Sequence, residues 1–414
     1  MDLSKKKKLG FLDQKTIEAL VMQLSQVESG LLETREALTD AIDNMQITQL
    51  AENVYQLGHV LGIYEMFGGY VNRSFGIIVE KDGRQQDYFV RKYKMGITDS
   101  DIQVEHSLIC YAAEHGMQTI ARVYKTPDGK TFWRMNEICN GQWVSRAFAI
   151  YEFLEGEDRY TWINTKLTPD EDRSFGGLLA QFHASTAGFD PGEKEELPII
   201  PLLKKLGREF PHCCDALPEE NRFRLLWEKE LDHIMAACEK AHAYLSDPAI
   251  ENSLPVANCH CDFHPGNVKW KENGCSGVFD FDWAKLDKRL FDVVYALIYT
   301  VTSWDSEDNG EINMDRILYT IHGYEDELAR HPGTMPLLTK AEWAALPYMF
   351  LAGIMYLLNW CISYCGDSKN LNEFEYYFYL SHVTNALGCV ERHWDSLANM
   401  EQMVHSGTRQ EIGR

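Results

Sequence analysis

The chain has 414 residues, more than one hydrophobic core fills, since cores stop growing at roughly 250–300 residues; two lobes or domains are expected, and a minimal binding module is excluded. Its 62 acidic side chains outnumber 40 basic ones to give a formal charge of −22, which repels phosphate backbones and anionic lipid heads and argues against nucleic acid as a partner. Hydrophobic residues at 45%, charged residues at 25% and only 13 prolines exclude disordered and collagen-like classes.

The run Lys5 to Lys8 leads into Leu9, Gly10 and Phe11 and then polar sequence, without the apolar stretch and cleavage site of a secretory signal. Eleven cysteines lack disulfide-framework spacing, so a reducing, cytoplasmic setting is expected. From about Thr16 to Val60 the pattern is helical, with Ile17, Leu20, Val21 and Leu24 at spacings of three and four, and residues 1–57 read as an N-terminal helical extension. Tyr64–Glu80 then alternates around Gly68, Gly69 and Gly76. With the turn Lys81-Asp82-Gly83 and a second alternating run Asp87–Tyr93, it predicts a hairpin.

Ser100 can cap a helix over Asp101–His115, and two short strands are expected around Arg122–Tyr124 and Thr131–Met135. Residues 58–155 thus form a small α+β lobe. After Ile150–Gly156 the character changes, and Ser174–Ala187, Asn221–Leu245, Phe291–Val301, Glu342–Tyr364 and Glu373–Trp394 read as helices of a lobe spanning 156–414. Asp305–Gly310 is a polar loop. No charge occurs between Glu342 and Asp367, long enough to cross a bilayer, but Pro347, Asn359 and Ser363 interrupt the run and no Lys/Arg cluster flanks it. A buried core helix, with no membrane partner, is the expectation.

The segment Asn258-Cys259-His260-Cys261-Asp262-Phe263-His264-Pro265-Gly266-Asn267 lies between helices, and Pro265-Gly266 forces a turn that brings Asp262 and Asn267 onto one loop. The apolar strand Gly277-Val278-Phe279 follows and ends in Asp280 and Asp282. Phosphoryl transfer needs such a set: one carboxylate to orient and deprotonate a hydroxyl, plus an amide oxygen and a second carboxylate for Mg2+, which prefers oxygen. The spacing His-x-Asp-x-x-x-x-Asn followed by Asp after a strand is that of a kinase catalytic loop.

The text HCDFHPGNV followed by GVFDFDWAKLDKRLFDVVYAL resembles the signature of the aminoglycoside phosphotransferase and choline kinase superfamily, and further matches extend from about Gly58 to Trp394. The resemblance implies an α+β, two-lobed protein-kinase-like fold, with a small antiparallel-sheet N-lobe and a large mainly helical C-lobe. It implies ATP and Mg2+ bound between the lobes and a small-molecule hydroxyl acceptor. Asp262 would be the catalytic base, with Asn267 and Asp280 as metal ligands; Asp282 is either a third ligand or an exposed carboxylate. GGYVNRSFGI is similar to the family's phosphate-loop strand, implying nucleotide contacts at Gly68, Gly69, Asn72 and Ser74.

Phe89-Val90-Arg91-Lys92-Tyr93 matches the strand whose basic residue meets the phosphates; Arg91 or Lys92 takes that role, because alternation turns only one inward. Glu105 would pair with that cation. Tyr151-Glu152-Phe153-Leu154-Glu155-Gly156 resembles the adenine-binding connector, implicating Glu152 and Leu154. The chain departs from the family at Cys261, where glycine is usual, and at Arg91, where lysine is commoner. It also lacks Asp-Phe-Gly and Ala-Pro-Glu, which weighs against a Ser/Thr protein kinase, and its intact Asp262, Asn267 and Asp280 weigh against a catalytically silent member.

Cys259, His260, Cys261 and His264 crowd into six positions with no second pair at finger spacing, so zinc is not expected there and His260 reads as a hydrogen bonder that fixes the loop. Asp292 reads as a brace of that loop and His183 as structural. Trp283, Trp304 and Trp360, with Asp305, Glu307 and Asp308, suggest a cationic or sugar-like acceptor, although tryptophans in a helical lobe commonly just fill core.

Overall fold

The computed structural model describes residues 32–66, 72–139, 142–192, 196–365 and 373–407, which fall into two compact units. The first comprises Met1–Ile102 and Val123–Phe153, the second Gln103–Arg122 and Leu154–Arg414.

The first unit is built on an antiparallel sheet of β1 (His59–Met66), β2 (Arg73–Lys81), β3 (Arg84–Lys92), β4 (Trp133–Cys139) and β5 (Gln142–Glu152), in the order β1-β2-β3-β5-β4. The β2–β3 hairpin closes at Asp82 and Gly83, both at positive φ (53° and 73°), the turn whose twist matches flanking strands. Alternate residues Phe75, Ile77 and Val79 of β2, Tyr88 and Val90 of β3 and Phe148 and Ile150 of β5 form one apolar face. Ile47, Leu50, Ala51 and Tyr55 complete the same cluster. These last come from the helix Leu32–Gln49, its π-helical end Leu50–Val54 and the residue that follows, so this segment supplies one side of the small core.

Three strand boundaries differ from expectation. Helical pattern runs only to Val54 within 32–60, and β1 begins at His59; residues 16–31 lie outside the described residues. The alternating run Tyr64–Glu80 contains parts of two strands rather than one. Arg122–Tyr124 contributes a single bridge, Val123 to Tyr151, whereas β4 and β5 form a long hairpin. The exposed, polar first half of β5 hides its strand character in the sequence.

In the second unit the helices Pro169–Ser185, Arg222–Leu245, Arg289–Val301, Lys340–Cys365 and Glu373–Arg392 correspond to the five expected. The first starts earlier because Thr168 and Glu171 form a capping box with Pro169 in the first turn. Ile199–Glu209 and Met314–Arg330 were not expected, although Asn313 caps the latter and Ile317, Ile321, Tyr324 and Leu328 recur at helical spacing.

Lys340–Cys365 includes a stretch, Lys340–Ser363, long and apolar enough to cross a membrane. Its consecutive residues Met349, Phe350, Leu351 and Ala352 are all fully buried, so every side of the helix meets protein. Its start is tied by a buried pair, Arg289 Nε donating to Glu342 Oε1 at 2.8 Å.

Pro169–Ser185 and Met314–Arg330 cross at glycines. A Cβ on Gly176 would lie 1.9 Å from the Thr320 carbonyl oxygen, and one on Gly323 would lie 1.9 Å from that of Arg173. Alanine normally stabilises a helix by up to about 1 kcal/mol over glycine. Here the clash is with backbone, which cannot rotate away, and overpacking dominates. Gly323→Ala is expected to lower unfolding stability by about 2–3 kcal/mol in urea titration; an unchanged midpoint would contradict the crossing.

Candidate functional site

The loop carrying Asp262 belongs to two nested ribbons of the second unit. The outer ribbon pairs β6 (Val256–Cys259) with β9 (Lys285–Lys288), and the inner one pairs β7 (Val268–Lys271) with β8 (Gly274–Val278). Residues 260–267 and 279–284 are therefore the two sides of one internal loop. Phe279 N–H donates to the Asn267 carbonyl at 3.2 Å, which sets Asn267 beside the turn bearing Asp280. His260 crosses the loop, its Nε2 3.1 Å from the Phe279 carbonyl and its Nδ1 3.3 Å from the Asp262 backbone N–H. Burial lowers its pKa, so the neutral ring donates from Nε2 and accepts at Nδ1.

Asp292, fully buried near the start of Arg289–Val301, accepts from the backbone N–H of His260 (2.7 Å) and of Cys261 (2.8 Å) and meets His183 Nε2 at 3.0 Å. His183 in turn meets the Tyr324 hydroxyl at 2.7 Å. With these donors on its two oxygens Asp292 shapes the loop, and the neighbouring thiol of Cys259 is held protonated by burial. Cys261 adopts φ 62°, in the left-handed region where glycine is usual, which gives the physical sense of the departure noted above.

Both oxygens of Asp262 are engaged. Tyr295 Oη donates to Oδ1 at 2.8 Å, and Asn267 Nδ2 donates to Oδ2 at 3.1 Å and to the Asp262 carbonyl at 2.9 Å. Asn267 thus makes both bonds through its nitrogen, leaving its amide oxygen as an acceptor. Burial, and then the negative charge of Asp280, push the Asp262 pKa up to about 8. Asp280 stands at φ 72°, and Asp282 follows two residues on, half-buried. An amide oxygen and carboxylates are the oxygen donors that a hard divalent cation such as Mg2+ takes.

Tyr295 escaped the sequence reading. It lies three residues after Asp292 and four before Tyr299 on one helix face, a spacing that could have placed it above the loop. Beyond it, His264 packs on Tyr299 at 5.2 Å between ring centroids, Tyr299 Oη meets Tyr379 Oη at 2.8 Å, and Tyr379 lies 5.4 Å from Trp162. Trp304 joins this cluster, Trp360 packs on Tyr379 at 5.1 Å, and Asp305 pairs with Lys166 at 2.6 Å.

Trp304 also stacks on buried His382 at 3.4 Å, whose ring nitrogens meet Asn309 Oδ1 (2.6 Å) and Thr302 Oγ1 (3.2 Å). Burial holds the His382 pKa down at about 3 against about 6.5 unfolded, so acid protonates only the unfolded chain and stability falls with pH below about 6.5. His382→Gln is expected to remove about 1 kcal/mol of the stability lost between about pH 7 and about pH 5.5. Urea unfolding with the same pH dependence in both proteins would contradict this.

In the first unit Ser74 and Arg91 are register partners on β2 and β3, so their side chains share a face. Lys92 turns to the opposite face, where Nζ meets Asp43 Oδ1 at 2.8 Å and Glu137 Oε2 at 2.6 Å. The buried Arg91 guanidinium lies 5.9 Å from the ring centroids of Tyr93 and Tyr151. Asn72 Oδ1 accepts the Lys94 N–H at 2.9 Å, and Glu152 ends β5 opposite Tyr88. Gly68 and Gly69 lie outside the described residues. In the second unit Glu105 is buried on the helix Asp99–Glu114, and Leu154 lies over Gly277, where a Cβ would come within 2.7 Å of Leu154 Cδ1.

Residues 68–329, well over half of the chain, match the family described as phosphotransferase enzyme family. The small antiparallel-sheet unit and the helical unit make the protein-kinase-like fold. It is shared with the microcompartment-associated aminopropanol kinase (TM-score 0.59, 16% identity, 86% of this chain and 98% of that one) and with choline kinase from Cryptosporidium parvum (0.58, 13%, 86% and 97%). Homoserine kinase of Cupriavidus pinatubonensis is 24% identical over 277 residues, 65% of this chain and 73% of its own length. The chain belongs to the phosphotransferase enzyme family; it is an ATP-dependent small-molecule kinase.

Proposed function

We propose that this kinase phosphorylates the hydroxyl group of a small cationic acceptor, an amino alcohol, with Asp262 as its base. Asp262 takes the hydroxyl proton as the acceptor oxygen bonds to the γ-phosphorus and the bond to the β–γ bridging oxygen breaks, releasing ADP. Tyr295 and Asn267 hold the Asp262 carboxylate in place while it does so. Asn267, Asp280 and Asp282 would hold Mg2+, which neutralises phosphate charge when bound. Arg91, rather than the ion-paired Lys92, would contact the phosphates, with Ser74, Asn72, Gly68 and Gly69 near them, Glu105 as partner of that cation, and the backbone of Glu152 and Leu154 serving adenine.

The observation that carries the acceptor class is the tyrosine face beside Asp262. Among the described residues no Lys or Arg hydrogen-bonds to Asp262, Tyr295 or Tyr299, while aromatic faces suit an ammonium group. Homoserine, aminopropanol and choline, named for the similar proteins, each pair a hydroxyl with an amine or ammonium. The described cysteines are free thiols, which suits the cytoplasm. ADP release measured over a panel of amino alcohols, neutral sugars and sugar acids tests the reading. Turnover with an amino alcohol is expected, and turnover confined to the sugar acids would overturn it.

A further inference from the structure

Away from the phosphotransfer loop, Glu311, Cys389 and His393 bring a carboxylate oxygen, a thiol sulfur and an imidazole nitrogen within 4.8 Å of one another. Cys389 and His393 are one turn apart at the end of Glu373–Arg392, a spacing that puts both on one face, and Glu311 comes from the segment leading into Met314–Arg330. We propose that these three residues form a zinc site, with water as fourth ligand on the open side given by exposed Glu311.

The groups around the three ligands already point them inward. Glu311 Oε2 accepts from Cys389 Sγ at 3.3 Å, while Arg392 holds the other carboxylate oxygen and so fixes which one faces the sulfur. The Ile312 N–H donates to Cys389 Sγ at 3.2 Å, a contact that steadies a thiolate. Zinc takes S, N and O ligands at roughly 2.0–2.3 Å in a tetrahedron, so small side-chain rotations suffice to close the set. On binding, the Cys389 thiol releases its proton to solvent, so thiolate and carboxylate bring two negative charges to the ion while Arg392 stays on the far carboxylate oxygen. A thiolate and an imidazole favour zinc over Mg2+, which separates this site from the nucleotide's metal.

The site has a structural reach. Thr302 bridges to Ile312 and Gly310 N–H donates to the Ser303 carbonyl at 2.7 Å, so metal would pin the segment bearing Trp304 to the helix. A Cβ on Gly310 would lie 2.6 Å from the Ala386 backbone nitrogen, so this segment already packs tightly on that helix.

Titration of the full chain with Co2+ in excess Mg2+ tests the assignment. One equivalent should bind with a thiolate charge-transfer band, be displaced by Zn2+, and raise the unfolding temperature. Cys389→Ser and His393→Ala should each weaken binding by about a hundredfold or more. If Cys389→Ser does not fold, the half-buried His393 carries the test with Cys389 intact. Absence of the band in the native chain, or its survival at full strength in either variant, would overturn the site.

Discussion

Asp262→Asn is expected to lower turnover by about a hundredfold or more while the fold and the affinity for ATP stay nearly unchanged. Asparagine has the same shape and no charge, so it removes the burial cost that pushes the Asp262 pKa to about 8. The hydrogen bonds also survive the exchange. Asn267 Nδ2 keeps an acceptor in the new amide oxygen, and the Tyr295 hydroxyl, a rotor, turns from donor to acceptor of the new amide. What disappears is the carboxylate that receives the acceptor's proton. Steady-state kinetics beside calorimetric ATP binding separates the two quantities, and a variant with native turnover would end the assignment of Asp262 as base.

Asp280 is expected to behave differently, because a metal ligand acts before the reaction as well as during it. Asp280→Asn should weaken binding of Mg·ATP by about tenfold or more, since the lost charge is one the cation needs in the bound state. Asparagine is the informative replacement here: position 280 has φ 72°, a conformation that asparagine tolerates and alanine resists. A weakened alanine variant would therefore mix backbone strain with ligand loss. Equal calorimetric affinity in Asp280→Asn and the native chain would remove Asp280 from the ligand set.

The grouping of Asp262, Asn267 and Asp280 was readable because their spacing is local: all three lie on the internal loop of one nested hairpin. What the sequence hid depends on distant partners. Nothing in the run around Lys92 says that its ammonium meets Asp43, 49 positions earlier, in a helix that reads as an appendage. The helix Leu32–Gln49 and its π-helical end proved to be half of a core, because the matching half is a sheet face assembled from β2, β3 and β5. Tyr295 was hidden for another reason. Its helix is buried along its whole length, so periodicity could not distinguish the face above the loop from faces that only pack.

The nested ribbons also constrain how this region can change in length. Each side of the internal loop is clamped at both ends, by β6–β9 outside and β7–β8 inside, and His260 spans the gap between them. One residue added within 260–267 or 279–284 would have to bulge between these two clamps, and would displace Asp262, Asn267 and Asp280 relative to one another. The inner tip, Glu272-Asn273, has no such constraint, being exposed and lying beyond the last ladder pair, Lys271 with Gly274. A peptide tag or fluorophore-bearing insertion belongs at that tip, where added chain would extend into solvent and leave the register beneath it intact.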